Sequence, residues 1–188
     1  MVTKLNVKIK KLLLLNTMKK LLLILLCVPL IGFGQETGCI SGDCDNGVGI
    51  FYFSESEELY GWPNWVVDAS KYIGEWKNKK RNGLGTSIYF DETGVISNIY
   101  IGEWKDGLRH GLGTMTWYYC IYECKYEGEW WDGRQDGQGT MNYASGNKFE
   151  GEYTNGIIHG YGTYTYADGS VEVGEWEAGT FVEEPFQE

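Results

Sequence analysis

Four cysteines, Cys39, Cys44, Cys120 and Cys124, are the first residues here that could do chemistry. Thiols pair as disulfides, ligate zinc or stay free. The fifth cysteine, Cys27, lies in the leader read below as a signal peptide; the even count that remains, at close spacing, suggests two local disulfides, Cys39–Cys44 and Cys120–Cys124, in an exported chain. Four thiolates could instead hold zinc tetrahedrally, but gaps of four and three intervening residues fit zinc poorly. A second set is Glu75, Glu103, Glu129, Glu152 and Glu175. Paired carboxylates can hydrolyse glycosides. Each of these, however, holds the same place in a recurring motif, so a shared role in the scaffold is the simpler reading. It would be an exposed ladder beside Lys77 and Lys105, contributing little stability. His110 and His159 are the two histidines, also at equivalent places. A catalytic pair needs unlike environments, so they read as structural hydrogen-bonding groups. There is no Ser-centred nucleophile elbow, and Gly-x-Gly opens a strand here rather than a phosphate-binding helix. Asp43-Cys44-Asp45-Asn46 lacks the Glu and the full loop of a calcium-binding EF-hand, and reads as a turn. No catalytic, cofactor or metal site is assigned, and the chain reads as non-enzymatic.

What must position these residues is an internal repeat. Gly-Glu-Trp occurs at 74–76, 102–104, 128–130 and 174–176, and Gly-Glu-Tyr at 151–153. The units begin with an aromatic two residues before the glycine: Tyr72 with Gly74 and Trp76, Tyr100 with Gly102 and Trp104, and Tyr126 with Gly128 and Trp130. Phe149 precedes Gly151 and Tyr153, while Glu172 stands before Gly174 and Trp176. Gly-x-Gly-Thr follows at 83–86, 111–114, 137–140 and 160–163, always nine residues after the motif glycine. The two motifs therefore move as one unit. Asp106-Gly107, Asp132-Gly133 and Asn155-Gly156 lie between them, and Ala178-Gly179 follows the last copy. Asp-Gly and Asn-Gly favour tight hairpins because both central residues need positive φ. Copy one has Asn78-Lys79, which points to a looser turn. Ser145-Gly146 and Asp168-Gly169 link one hairpin to the next. Alternation puts Tyr100, Gly102 and Trp104 on one face, and Ile101 and Glu103 on the other. One hairpin cannot bury that face alone, so stacked hairpins must share an aromatic core.

This pattern resembles the MORN repeat family, whose unit reads Tyr-x-Gly-x-Trp-x-x-Gly-x-x-x-Gly-x-Gly over about 23 residues. Tyr100–Gly113 is the clearest match, and His110 and His159 fall where that family often has His. The resemblance covers 72–179, with 38–53 as a divergent cap. It implies an all-β fold: an elongated, single-layer antiparallel meander of stacked hairpins, preceded by a cleavable signal helix. The departures are an insert at 54–71, carrying Trp62 and Trp65, and extra length in copies one and two.

The chain has 188 residues, with 27 Gly, 29 aromatics (8 Trp, 14 Tyr, 7 Phe) and a net charge of −10. Abundant glycine with 3 prolines and no G-X-Y period excludes collagen, and the aromatics exclude a disordered chain. Residues 1–34 hold 6 of the 16 basic residues and no acidic one. Lys19-Lys20, the apolar run Leu21–Ile31 and Gly32-Phe33-Gly34 read as a signal peptide, cut after Gly34. The start is either Met1 or Met18. A span needs about 20 apolar residues, more than this run has, so no transmembrane anchor is expected after cleavage. Without residues 1–34 the charge becomes 10 − 26 = −16. That excludes nucleic acid as a general partner. The organisation expected is a signal peptide 1–34, a cap and insert 35–71, repeats 72–182 and a tail 183–188.

The function expected is an exported scaffold, periplasmic, secreted or in the cell envelope. It would bind a protein partner or itself through an aromatic groove and strand edges. Trp62, Trp65, Trp117 and Trp131 are the candidate contacts, Trp131 because it must face away from Trp130. The resemblance also implies lipid headgroups as a partner, and an aromatic groove could take a glycan. The basic cluster Lys77-Asn78-Lys79-Lys80-Arg81 is the local counterweight to the acidic charge.

Overall fold

The computed structural model of the protein describes residues 38–53, 71–91, 93–120 and 123–182. The expected signal peptide, most of the insert with Trp62 and Trp65, and the tail lie outside the described residues. The strands are β1 (Gly38–Gly42), β2 (Val48–Tyr52), β3 (Lys71–Lys77), β4 (Lys80–Phe90), β5 (Ile96–Lys105) and β6 (Leu108–Trp117). They continue as β7 (Cys124–Trp131), β8 (Arg134–Asn142), β9 (Lys148–Thr154), β10 (Ile157–Thr165), β11 (Val171–Glu177) and β12 (Thr180–Phe181). All twelve form one antiparallel sheet in sequence order, an open all-β meander. At about 4.8 Å per strand, eleven steps make it elongated, roughly 50 Å across. Lys71 belongs to β3, paired with Tyr52 and Ile88, so the insert ends one residue earlier than its composition suggests.

The register explains the motif. Gly49, Gly74, Gly85, Gly102, Gly113, Gly128, Gly139, Gly151, Gly162 and Gly174 pair in succession, a file of glycines crossing the sheet. The rings of Tyr72, Tyr100 and Tyr126 lie over this file, fully buried. Their hydroxyls donate to the carbonyls of Glu75, Glu103 and Glu129, each at 3.0 Å. A Cβ on Gly102 would stand 2.6 Å from both Gly113 Cα and Tyr100 Oη, so only glycine lets the ring lie there.

Tip turns are uniform. Asp106 and Gly107 have φ of 52° and 93°, and Asn78 and Lys79 have 50° and 60°. The first turn is therefore no looser than the others; Lys79 is held in the left-handed region that glycine fills elsewhere. The tips also join the hairpins. Gly107 N donates to Arg81 O, Gly133 N to Arg109 O and Gly156 N to Gln135 O, while Lys79 N donates to Asp45 O. Trp104 Nε1 donates to Gly85 O and Trp130 Nε1 to Gly113 O, so each indole reaches back one hairpin.

Candidate functional site: an aromatic and arginine groove

Each tip-joined hairpin from β3–β4 to β9–β10 carries a bulge in its second strand. Gly102 pairs with Gly113 and Trp104 with Arg109, so three residues on β6 face one on β5. The excess is Glu103 against His110, Gly111 and Leu112. Leu112 N would lose its ladder partner, and Glu103 Oε1 accepts it at 3.1 Å. Glu75 does the same for Leu84 N at 3.0 Å. Glu75 and Glu103 are thus bulge caps rather than a ladder set against Lys77 and Lys105. The Lys105 ammonium instead sits 5.8 Å over the Trp131 ring.

Below the bulges runs an edge-to-face zipper of rings. Tyr72 meets Trp76 at 5.0 Å and Trp104 at 5.5 Å; Tyr100 meets Trp104 at 5.0 Å and Trp130 at 5.2 Å. Tyr126 meets Trp130 and Tyr153, and Phe149 meets Tyr153 and Trp176. Quadrupoles favour this T-shaped geometry, which holds the rings rigid. Phe51, Phe53, Met141, Tyr143 and Tyr164 pack against the row while keeping some exposure.

Over this row opens a cavity of about 370 Å³. Tyr89, Asn98, Met115 and Trp117 line one side; Trp104 and Trp130 lie at its floor; the turns at Gly107, Gly133 and Gly156 close the other. Arg81, Arg109 and Arg134 line it too, and among the described residues no Asp or Glu does. The Arg81 guanidinium lies 4.5 Å over Trp104, and that of Arg109 lies 4.6 Å over Trp130. Arg109 Nη2 donates to Gly133 O at 2.8 Å. Burial pulls the Arg109 guanidinium below its usual pKa. The site can stack apolar or planar groups and donate hydrogen bonds to an anion.

Of the sequence candidates, Trp117 lines this cavity, half-buried. Trp131 lies outside it, 58% exposed, with its ring 4.5 Å from that of His110. His110 Nδ1 is 3.8 Å from Asp132, beyond hydrogen-bond reach, so its role is ring packing rather than hydrogen bonding. His159 is exposed. Cys39–Cys44 and Cys120–Cys124 are disulfides, with S–S distances of 2.08 and 2.04 Å, which removes the thiolates a zinc site would need. Among the described residues no group of three His, Cys, Asp or Glu could hold a metal ion.

Sequence reasoning missed Arg109 and Arg134 and misread Arg81. The basic run at 77–81 splits: the lysines stay at the surface, while Arg81 turns inward and is buried. Its signal was the column seven residues after the motif glycine, which reads Arg81, Arg109, Gln135, Ile158.

The family model for the MORN repeat matches residues 72–93, 100–118, 126–148 and 149–171. A search of curated proteins returns no match.

Proposed function

Because the chain belongs to the MORN repeat family, a non-enzymatic repeat family whose members generally bind proteins or membranes, we propose that it is an exported scaffold. It binds a protein partner or a second copy of itself through the aromatic groove, with the open sheet edges as further contacts. The observation that carries this is the groove: a rigid row of rings, left part-open between β4 and the β9–β10 turn. Part-exposed rings over a fixed floor suit an apolar or amphipathic chain at low ordering cost. Two disulfides favour an oxidising compartment, periplasmic, secreted or at the cell envelope. Sedimentation of the full chain over a concentration range, with pull-downs comparing wild type and Trp117→Ala, tests the reading. It is supported by self-association, or by a partner that wild type retains and the variant loses. A strict monomer retaining nothing would overturn it.

The three arginines favour a second reading, an anionic lipid headgroup. Against it, Arg81 is only 6% exposed. A flat bilayer meets protruding cations, not ones at a groove floor.

A further inference from the structure

A second aromatic column crosses the sheet beside the buried ring row. It stands six residues after the first glycine of each Gly-x-Gly-Thr, at Tyr89, Trp117, Tyr143 and Tyr166. Tyr89 is buried, whereas the other three are half-buried and keep part of each ring in solvent. Trp117 and Tyr143 pack against the core cluster. The Tyr166 ring lies 4.8 Å from that of Tyr164, which lies 5.7 Å from Trp176. The column is therefore on the groove side of the sheet.

Side-chain hydrogen bonds hold its outer part in place. Asn147 Nδ2 donates to Tyr164 Oη at 2.9 Å, and Asn147 Oδ1 accepts from Ala167 N at 2.9 Å. These bonds tie the turn after Tyr143 to the turn after Tyr166. Glu172 stands where four other copies have a buried aromatic, and its carboxylate accepts from Tyr166 Oη at 2.9 Å. The last copy thus departs from the motif at a residue that fixes a part-exposed ring.

Spacing and chemistry narrow the ligand. Trp117 ends β6, Tyr143 directly follows β8 and Tyr166 directly follows β10. Successive rings are two strand steps apart, about 9.6 Å. Asparagines alternate with them: Asn98 pairs with both Tyr89 and Trp117, and Asn147 adjoins the Asn142–Lys148–Thr165 register between Tyr143 and Tyr166. In an extended β-1,4-linked chain of equatorial hexoses each sugar is turned over relative to the last, and the two-sugar repeat is close to this ring spacing. The C–H faces of such sugars suit the negative faces of aromatic rings, and their hydroxyls suit amides. Acidic residues outnumber basic ones 26 to 16, which disfavours an anionic polysaccharide.

We infer that this face binds an uncharged, extended β-1,4-linked hexose chain, with alternate sugars stacked on Trp117, Tyr143 and Tyr166 and intervening hydroxyls bonded to Asn98 and Asn147. This activity goes beyond the protein-binding reading above and does not depend on it.

Isothermal titration calorimetry of the full chain with cellohexaose tests it. Cellobiose, too short to reach all three rings, and maltohexaose, the same sugar in a coiled α-1,4 chain, are the controls. Cellohexaose should bind, and both controls at least about tenfold more weakly. Tyr143→Ala and Tyr166→Ala should each weaken cellohexaose binding about tenfold, while Tyr143→Phe, which keeps the ring, should retain it. Thermal melts check that the variants remain folded. Equal binding of maltohexaose, or cellohexaose binding that neither alanine variant weakens, overturns the inference. So does a folded wild-type chain that binds no cellohexaose. If that chain still retains a protein in pull-downs, and Tyr143→Ala releases it, the column serves a protein partner instead.

Discussion

Lys79 has φ of 60°, at the turn position where later repeats place Gly107, Gly133, Gly156 and Gly179. A side chain there crowds the backbone, and its ion pair to Asp45 is long at 4.0 Å and exposed. Lys79→Gly should therefore raise stability by about 0.5–1 kcal/mol, read as a higher urea midpoint. Two tyrosines in the ring row should respond in opposite directions. Tyr100 donates to Glu103 O, so Tyr100→Phe should cost about 1 kcal/mol. The Tyr153 hydroxyl is buried with no partner among the described residues, where other copies place an indole N–H that reaches back to a glycine carbonyl. Tyr153→Phe should be neutral or stabilising by up to about 1 kcal/mol in the same denaturation assay. The glycines and aromatics were legible in the sequence because steric demand recurs at fixed spacing. The hydroxyl partners were not, since a carbonyl acceptor carries no residue signature.

Within one hairpin, the glutamate of Gly-Glu-Trp and the first glycine of Gly-x-Gly form a single device. Gly111 takes φ of 61° to make the bulge, and Glu103 caps the amide the bulge exposes. Glu103→Ala should destabilise by about 1–2 kcal/mol, and Glu103→Gln by less, since an amide oxygen can still accept from Leu112 N. Equal losses in the two variants, measured by urea unfolding, would show that charge rather than the hydrogen bond matters. Sequence spacing showed that the two motifs were rigidly coupled, nine residues apart. It did not show why, because the bulge adds residues on only one strand and shifts what faces what. The same shift sends Arg81 and Arg109 onto the next hairpin's indoles, which simple alternation along a strand does not foresee.

Across the whole molecule, stability is shared by neighbours in a row rather than held in one centre. Each hairpin is joined to the last by a turn amide, and each except β9–β10, which carries Tyr153, by an indole as well. Burial raises the phenol pKa of Tyr72, Tyr100, Tyr126 and Tyr153 along this row. Their folded values lie above the ordinary value of about 10. Their contribution is thus complete below that pH and is lost as pH rises through the folded values. Tyrosinate absorbance should show a late alkaline phase that coincides with loss of the sheet signal in circular dichroism. If all tyrosines titrate before the sheet melts, the row is not the shared core. At the acid end, Thr93, Tyr119 and the Val95 amide hold Asp91 below the usual carboxylate range. That contribution is present above about pH 4 and fades as pH falls toward the folded value.

The one-dimensional pattern was enough for the family, the antiparallel meander and the ring row, and it suggested the local cysteine pairs that the structure then joined. These follow from local rules repeated copy after copy: turn chemistry, period-two alternation and space for a ring above glycine. The groove and its charge were settled in three dimensions. Arg81, Arg109 and Arg134 are separated by 28 and 25 positions (109 − 81 and 134 − 109) and sit among many lysines and glutamates. Only the stacking of hairpins, with a bulge turning each strand, brings them to one cavity.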